Sequence, residues 1–143
     1  MSKRRVLFLC TGNSCRSQMA EAIVNARLAD EWQAASAGTR PAGYVHPKAL
    51  ATLAEIGILH AGRSKLAEEF RAEAFDLVVT VCDDAAENCP LWLGSGKREH
   101  LGFPDPAKAM GSDEEILAAF RAVRDDIARR VPELLRAQGT GQG

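Results

Sequence analysis

The chain is 143 residues long, 46% hydrophobic and 26% charged, with a formal net charge of −1 at pH 7. That size suits one domain with its own core, and a charge so near zero excludes a broad electrostatic pull towards nucleic acid or an anionic membrane. No apolar run reaches membrane-spanning length, and Met1-Ser2-Lys3-Arg4-Arg5 ahead of Val6-Leu7-Phe8-Leu9 is too short in apolar length, and lacks the cleavage site, to be a signal peptide.

In chain order, the pattern predicts a first strand over Arg5 to Leu9. A helix follows from Ser17 to about Leu28, with Met19, Ile23 and Ala26 on one face. Trp32 to Ala37 reads as a second strand and Gly38 to Val45 as a loop. Pro47 opens a helix through about Glu55, which Gly57 stops. Leu66 to Arg71 is expected as a short helix, Phe75 to Val81 as a third strand and Glu99 to Phe103 as a fourth. Ser112-Asp113-Glu114-Glu115 has capping-box spacing, and Ile116, Phe120, Val123 and Ile127 continue a last helix that Pro132 should kink or interrupt. The expected organisation is one domain over residues 1–138, with 139–143 as a flexible tail. Strand and helix alternate, which predicts an α/β fold: a central four-stranded parallel sheet with helices on both faces. His46, His60 and His100 have no partner motif and read as ordinary histidines. Trp32 and Trp92 read as packing residues.

The chemistry concentrates in Cys10-Thr11-Gly12-Asn13-Ser14-Cys15-Arg16-Ser17, between the first strand and the first helix. A tight loop there can aim successive backbone N–H groups, beside a positive helix end, at one tetrahedral oxyanion. Thr11, Gly12, Asn13, Ser14 and Cys15 would supply the cradle, and Arg16 a two-pronged contact to the anion's oxygens. Cys10, at the rim, should feel the same field and become a nucleophilic thiolate. Cys15 has the commoner role of a small buried hydrophobe, or a side role in oxidation.

Two further cysteines follow the third strand, Cys82 and Cys89. Adjacent parallel strands lie roughly 4.8 Å apart, and a disulfide needs Cα atoms within about 7 Å, so Cys82 can reach Cys10 if their strands are neighbours. A helical 83–88 would hold Cys82 and Cys89 roughly 10 Å apart, so this segment must unwind for that pair to oxidise, and a mobile redox segment is expected. The spacings do not suit structural zinc, and nothing else suggests a secreted disulfide scaffold. Pro104-Asp105-Pro106 completes the set: Asp105, stiffened by two prolines, could give a proton to a leaving oxygen. Cys10, Cys82 and Asp105 each follow a strand, and ligands of such sheets bind beyond the strands' carboxyl ends.

The Cys10-to-Ser17 pattern after a single N-terminal strand resembles the low-molecular-weight protein tyrosine phosphatases. Continued through Gln18-Met19-Ala20-Glu21, and with Cys82 and Cys89 present, it resembles their thioredoxin-coupled arsenate reductases; the phosphatases usually have Pro at the position of Gln18. The resemblance covers about Val6 to Arg136. It implies arsenate reduction for arsenic detoxification by a relay from Cys10 to Cys82 to Cys89, with Arg16 and Asp105 assisting and Ser17, rather than Thr11, bonded to the Cys10 sulfur. Thioredoxin or a similar thiol reductant would regenerate the enzyme, and phosphate or sulfate would compete with arsenate. It also implies a potassium site on Asn13, Glu21 and Ser36. Lys65 stands where the family's acidic ligand belongs, so potassium binding is not expected, and no other metal or tightly bound cofactor is. A monomer in the reducing cytoplasm is expected, with no nucleic-acid or membrane partner. Two rival readings stay open. One is a phosphatase using Cys10, Arg16 and Asp105, whose weak activity can also coexist with reduction. The other is an oxyanion or redox sensor without turnover.

Overall fold

A computed structural model describes residues 3–82, 94 and 96–138. Four strands, β1 (Arg4–Cys10), β2 (Trp32–Gly38), β3 (Leu77–Thr80) and β4 (Lys97–His100), form one parallel sheet in the order β2-β1-β3-β4. The helices are α1 (Arg16–Arg27), α2 (Pro47–Glu55) and α3 (Asp113–Arg136), with short 3₁₀ turns at Ala67–Phe70 and Pro106–Lys108. The predicted α/β architecture is therefore the observed one.

The sheet's two faces follow from the two-residue period of β1. Val6, Phe8 and Cys10 join Met19, Ile23, Leu53, Phe120 and Ile127 in the large core under the three α-helices. Leu7 and Leu9 point the other way, into a smaller cluster with Phe75 and Val78 that the first 3₁₀ turn covers through Ala67 and Phe70. Both faces thus carry helical cover. Because β1 has β2 on one side and β3 on the other, the chain reverses direction across the sheet beside the end of β1. Such a switch point opens a crevice at the strands' carboxyl edge.

Several boundaries differ from expectation. β1 runs on to Cys10, since Cys10 still pairs with Gly38 of β2, and α1 begins at Arg16 rather than Ser17. β3 is confined to Leu77–Thr80, and β4 to the Lys97–His100 that this short partner can pair. Leu101 to Phe103, expected inside the fourth strand, instead peels away after two more bonds, Leu101 N to Thr80 O (2.8 Å) and Phe103 N to Val81 O (3.2 Å), which bury Phe103. The helix expected over Leu66 to Arg71 is the 3₁₀ turn Ala67–Phe70, with the Glu69 carboxylate folded back on the Leu66 N–H.

Pro132 does not interrupt α3, which continues to Arg136. A mid-helix proline costs about 3 kcal/mol. Val131 and Leu135 are both fully buried, and burying two such side chains is worth roughly 1.5–3 kcal/mol each, enough to hold the last turn. The remaining helix signals are met. Gly57 (φ 82°) stops α2, and Ser112 and Glu115 form the reciprocal capping box of α3. No helix among the described residues is long and apolar enough to cross a membrane. The expected 139–143 tail, Trp92, Cys89 and the 83–88 segment lie outside the described residues.

α2 and α3 are joined by Leu53 in the core and by buried Arg124, which donates to Thr52 O (2.9 Å) and to Glu55 Oε1 (2.8 Å). Leu53→Ala should lose about 3 kcal/mol of stability by leaving a cavity between these helices. Urea unfolding measures it, and a loss below half that value would mean the helices close over the gap.

Candidate active site

The loop between β1 and α1 is shaped by bonds to its outer side. Thr11 O accepts from Arg40 N (2.9 Å), Gly12 O from Ala42 N (2.8 Å) and Ser64 Oγ (3.0 Å), and Ser14 O from His46 N (3.0 Å). In a trans peptide the N–H points opposite to the C=O, so carbonyls bonded outward leave the loop's amides facing inward. At the loop's apex Asn13 adopts φ 48°, a left-handed conformation that asparagine tolerates better than most residues. Gly38 lets the second strand approach this loop. A Cβ there would overlap Thr11 O and lie 2.8 Å from Cys10 O. No side-chain cap and no acidic residue occupies the first turn of α1, so its positive end is left for an anion.

The side chains converge on a cavity of about 200 Å³ whose wall includes Cys10, Cys15, Arg16, Tyr44, His46 and Asp105. Cys10 Sγ lies 2.8 Å from Ser17 Oγ and accepts from Asn13 N (3.3 Å). Buried Arg16 donates to Phe103 O (3.2 Å), and its other terminal nitrogen stands 3.6 Å from Asp105 Oδ2. Asp105 Oδ1 accepts from Ala107 N (3.0 Å), which fixes the carboxylate at the start of the second 3₁₀ turn. The loop residues, Cys10, Arg16, Ser17 and Asp105 are thus brought together as the sequence suggested.

Cys15 shares the cavity with Cys10 but differs from it chemically. Burial, then the nearby charges of Asp105 and Cys10, push its thiol up to about 12, against weaker opposition from Ser14 and Arg16. It stays protonated at physiological pH and so adds no charge to the cavity.

Cys82 follows β3 and is fully buried. Val81 N donates to Leu9 O (2.9 Å), which ties this end of β3 to the end of β1. Cys10 and Cys15 are free thiols.

The three residues assigned to potassium by resemblance are already engaged. Glu21 Oε1 accepts from Ser36 Oγ (2.7 Å) and lies 3.6 Å from Lys65 Nζ. Asn13 Oδ1 accepts from Lys65 N (2.7 Å) and Gln18 Nε2 (3.0 Å). The Lys65 ammonium also takes Arg63 O (2.8 Å). All three are thus held by neighbours within the protein, and the Lys65 ammonium stands beside Glu21.

Sequence reasoning missed two histidines. His46 caps α2, its Nδ1 accepting from Lys48 N (3.1 Å), and its ring packs on Phe120 with centroids 4.7 Å apart. Burial, then the Lys48 charge, hold it below the ordinary histidine value, against the pull of Asp105. Its position just before Pro47 was the available signal, because that is where an N-cap stands. His60 bonds to Gln18, itself fully buried beside the loop, and no local pattern announces a contact over that sequence distance.

Residues 5–140 match the family of low molecular weight phosphotyrosine protein phosphatases. The arsenate reductase of Bacillus licheniformis is 47% identical over 132 residues, covering 92% of this chain and 94% of that protein. Among solved structures, the arsenate reductase of Archaeoglobus fulgidus superposes with a TM-score of 0.76 at 35% identity, covering 90% of this chain and 97% of its own. A thioredoxin-dependent arsenate reductase of Corynebacterium glutamicum gives 0.67 at 25% identity, covering 94% of this chain and 61% of its own.

Reduced protein treated with iodoacetamide at pH 8 should be labelled at Cys10 and not at Cys15, as read by peptide mass spectrometry, because only thiolates alkylate readily. Equal labelling of both would show that Cys15 is not held protonated.

Proposed function

The chain belongs to the low molecular weight phosphotyrosine protein phosphatase family and, within it, to the arsenate reductases; from that premise we propose that it reduces arsenate to arsenite by a relay of three cysteines. The observation that carries this reading is Cys10 Sγ, 2.8 Å from the Ser17 hydroxyl, in the wall of a cavity shared with Arg16 and Asp105.

Arsenate enters the cradle, its oxygens met by inward amides and by Arg16. The Cys10 thiolate attacks arsenic, and one arsenic–oxygen bond breaks. Asp105 gives that oxygen a proton so that it leaves as water. The Cys82 thiolate then attacks Cys10 Sγ. The sulfur–arsenic electron pair passes to arsenic, which leaves as arsenite, and a Cys10–Cys82 disulfide remains. Cys89 attacks Cys82 Sγ next and frees Cys10. The resulting Cys82–Cys89 disulfide is reduced by the dithiol of thioredoxin or a similar donor. Two electrons leave the thiols and two arrive on arsenic.

The role of Cys89 rests on its sequence position. Phosphate and sulfate, sharing arsenate's tetrahedral shape, compete for the cradle. The same Cys10, Arg16 and Asp105 would support weak phosphate-ester hydrolysis. A reducing compartment such as the cytoplasm suits the free thiols.

Lys65 takes potassium's place in this reading, since its ammonium already balances Glu21. Arsenite release should therefore be the same in potassium and sodium chloride at equal ionic strength, and marked stimulation by potassium would overturn that assignment.

The relay is tested by replacing its members under a competent thioredoxin system. Cys89→Ser should release at most one arsenite per enzyme. Cys82→Ala should release none while keeping any hydrolysis of phosphate esters. Sustained turnover by Cys89→Ser would remove Cys89 from the mechanism.

A further inference from the structure

His46 stands in the wall of the same cavity as Cys10, Arg16 and Asp105, and its ring is held from two directions. Nδ1 accepts from Lys48 N (3.1 Å), in the first turn of α2. The ring also packs on fully buried Phe120 of α3, with centroids 4.7 Å apart. An N–H can bond only to an unprotonated ring nitrogen, so the neutral imidazole carries its one proton on Nε2. The two nitrogens of an imidazole point away from each other, so Nε2 is turned from the start of α2. It makes no hydrogen bond among the described residues. The Asp105 carboxylate, in the same cavity wall, is near enough for its charge to act on the ring. Nε2–H is thus a donor with a fixed proton, at a cavity whose other groups suit an anion.

We propose that His46 is a further oxyanion-binding residue, whose Nε2–H donates to an oxygen of the tetrahedral anion held by the loop and Arg16. The proposal rests on the reading of that loop as an oxyanion cradle. The size of the cavity supports the reach. At about 200 Å³ it is smaller than the roughly 300–1,000 Å³ usual for organic ligands, so an anion inside lies close to the whole wall. The His46 backbone N–H donates to Ser14 O (3.0 Å), so the ring is carried by a residue tied to the cradle itself. Its donor character decides which oxygen it serves. With Nδ1 engaged, the ring can give a hydrogen bond to the anion but cannot accept one. It therefore favours an oxygen that keeps its charge over the one that receives the Asp105 proton. Burial, then the Lys48 charge, hold the ring neutral against the pull of Asp105, so it adds a directed dipole to the cavity and leaves the positive charge to Arg16.

The test is the binding of inorganic phosphate to the reduced full chain at pH 7.5, by calorimetry and by nitrogen-15 spectra of the histidine rings. The free wild-type chain should show His46 protonated on Nε2. That signal should move as phosphate is added and saturate with the dissociation constant that calorimetry gives, a readout that needs no variant to fold. His46→Asn keeps an N-cap acceptor for α2 and the backbone bond to Ser14, but has no donor at the reach of Nε2. Its dissociation constant should rise about tenfold, the low end of what a hydrogen bond to a charged group is worth. His46→Gln, whose amide can donate at that reach, should recover most of the affinity. The proposal is overturned by a neutral ring protonated on Nδ1, by unchanged affinity in His46→Asn, or by an equal loss in His46→Gln. A wild-type chain that binds no phosphate overturns the cradle and the proposal together, whereas binding that leaves the His46 signal unmoved overturns the proposal alone.

Discussion

Asn13 is the joint on which the site turns. Its left-handed backbone bends the loop at its apex, and its side chain ties two other pieces of chain, α1 and the segment around Lys65, to that bend. Lys65, Gln18 and Ser17 all meet the one carboxamide, which is fully buried. Within a buried amide every unmade bond is costly, so neither the loop nor the segment around Lys65 can shift alone. The carbonyls bonded outward to Arg40, Ala42 and His46 complete the frame. A cradle held on its outer side needs little rearrangement when an anion arrives, and such preorganisation is where electrostatic stabilisation gains most.

The charges around the cavity are arranged with the same economy. Arg16 stands 3.6 Å from Asp105, so each is partly compensated by the other, and the guanidinium is oriented by Phe103 O. Next door, the Lys65 ammonium and Glu21 carboxylate compensate each other under the loop. Cys15, kept protonated by burial and by its neighbours' charges, adds a sulfur surface but no charge.

Much of this was legible in the sequence because it is local or repeats with a fixed period. The apolar run Val6–Leu9, the loop signature to Ser17 and the proline-flanked Asp105 each announce themselves within a few residues. Placing Cys10, Cys82 and Asp105 at strand ends put them on one edge of a parallel sheet. What stayed hidden was long-range. The His60–Gln18 bond spans 42 positions, and nothing near either residue forecasts it. The range of β4 was misjudged because its limits come from the short β3 beside it and not from its own residues. Pro132 does not end α3, because local backbone rules weigh the missing N–H but not the buried Val131 and Leu135 that hold the turn.

β4 stands at one margin of the sheet and consists of Lys97, Arg98, Glu99 and His100, three of them exposed. A sheet margin offers unpaired peptide groups to any other chain that can align with it. Here a second copy aligning in parallel would have to lay its own charged side chains against the same sequence. Like charges set opposite one another would oppose that pairing. The margin is thereby defended against stacking of copies into a longer ribbon, without a covering element of its own among the described residues.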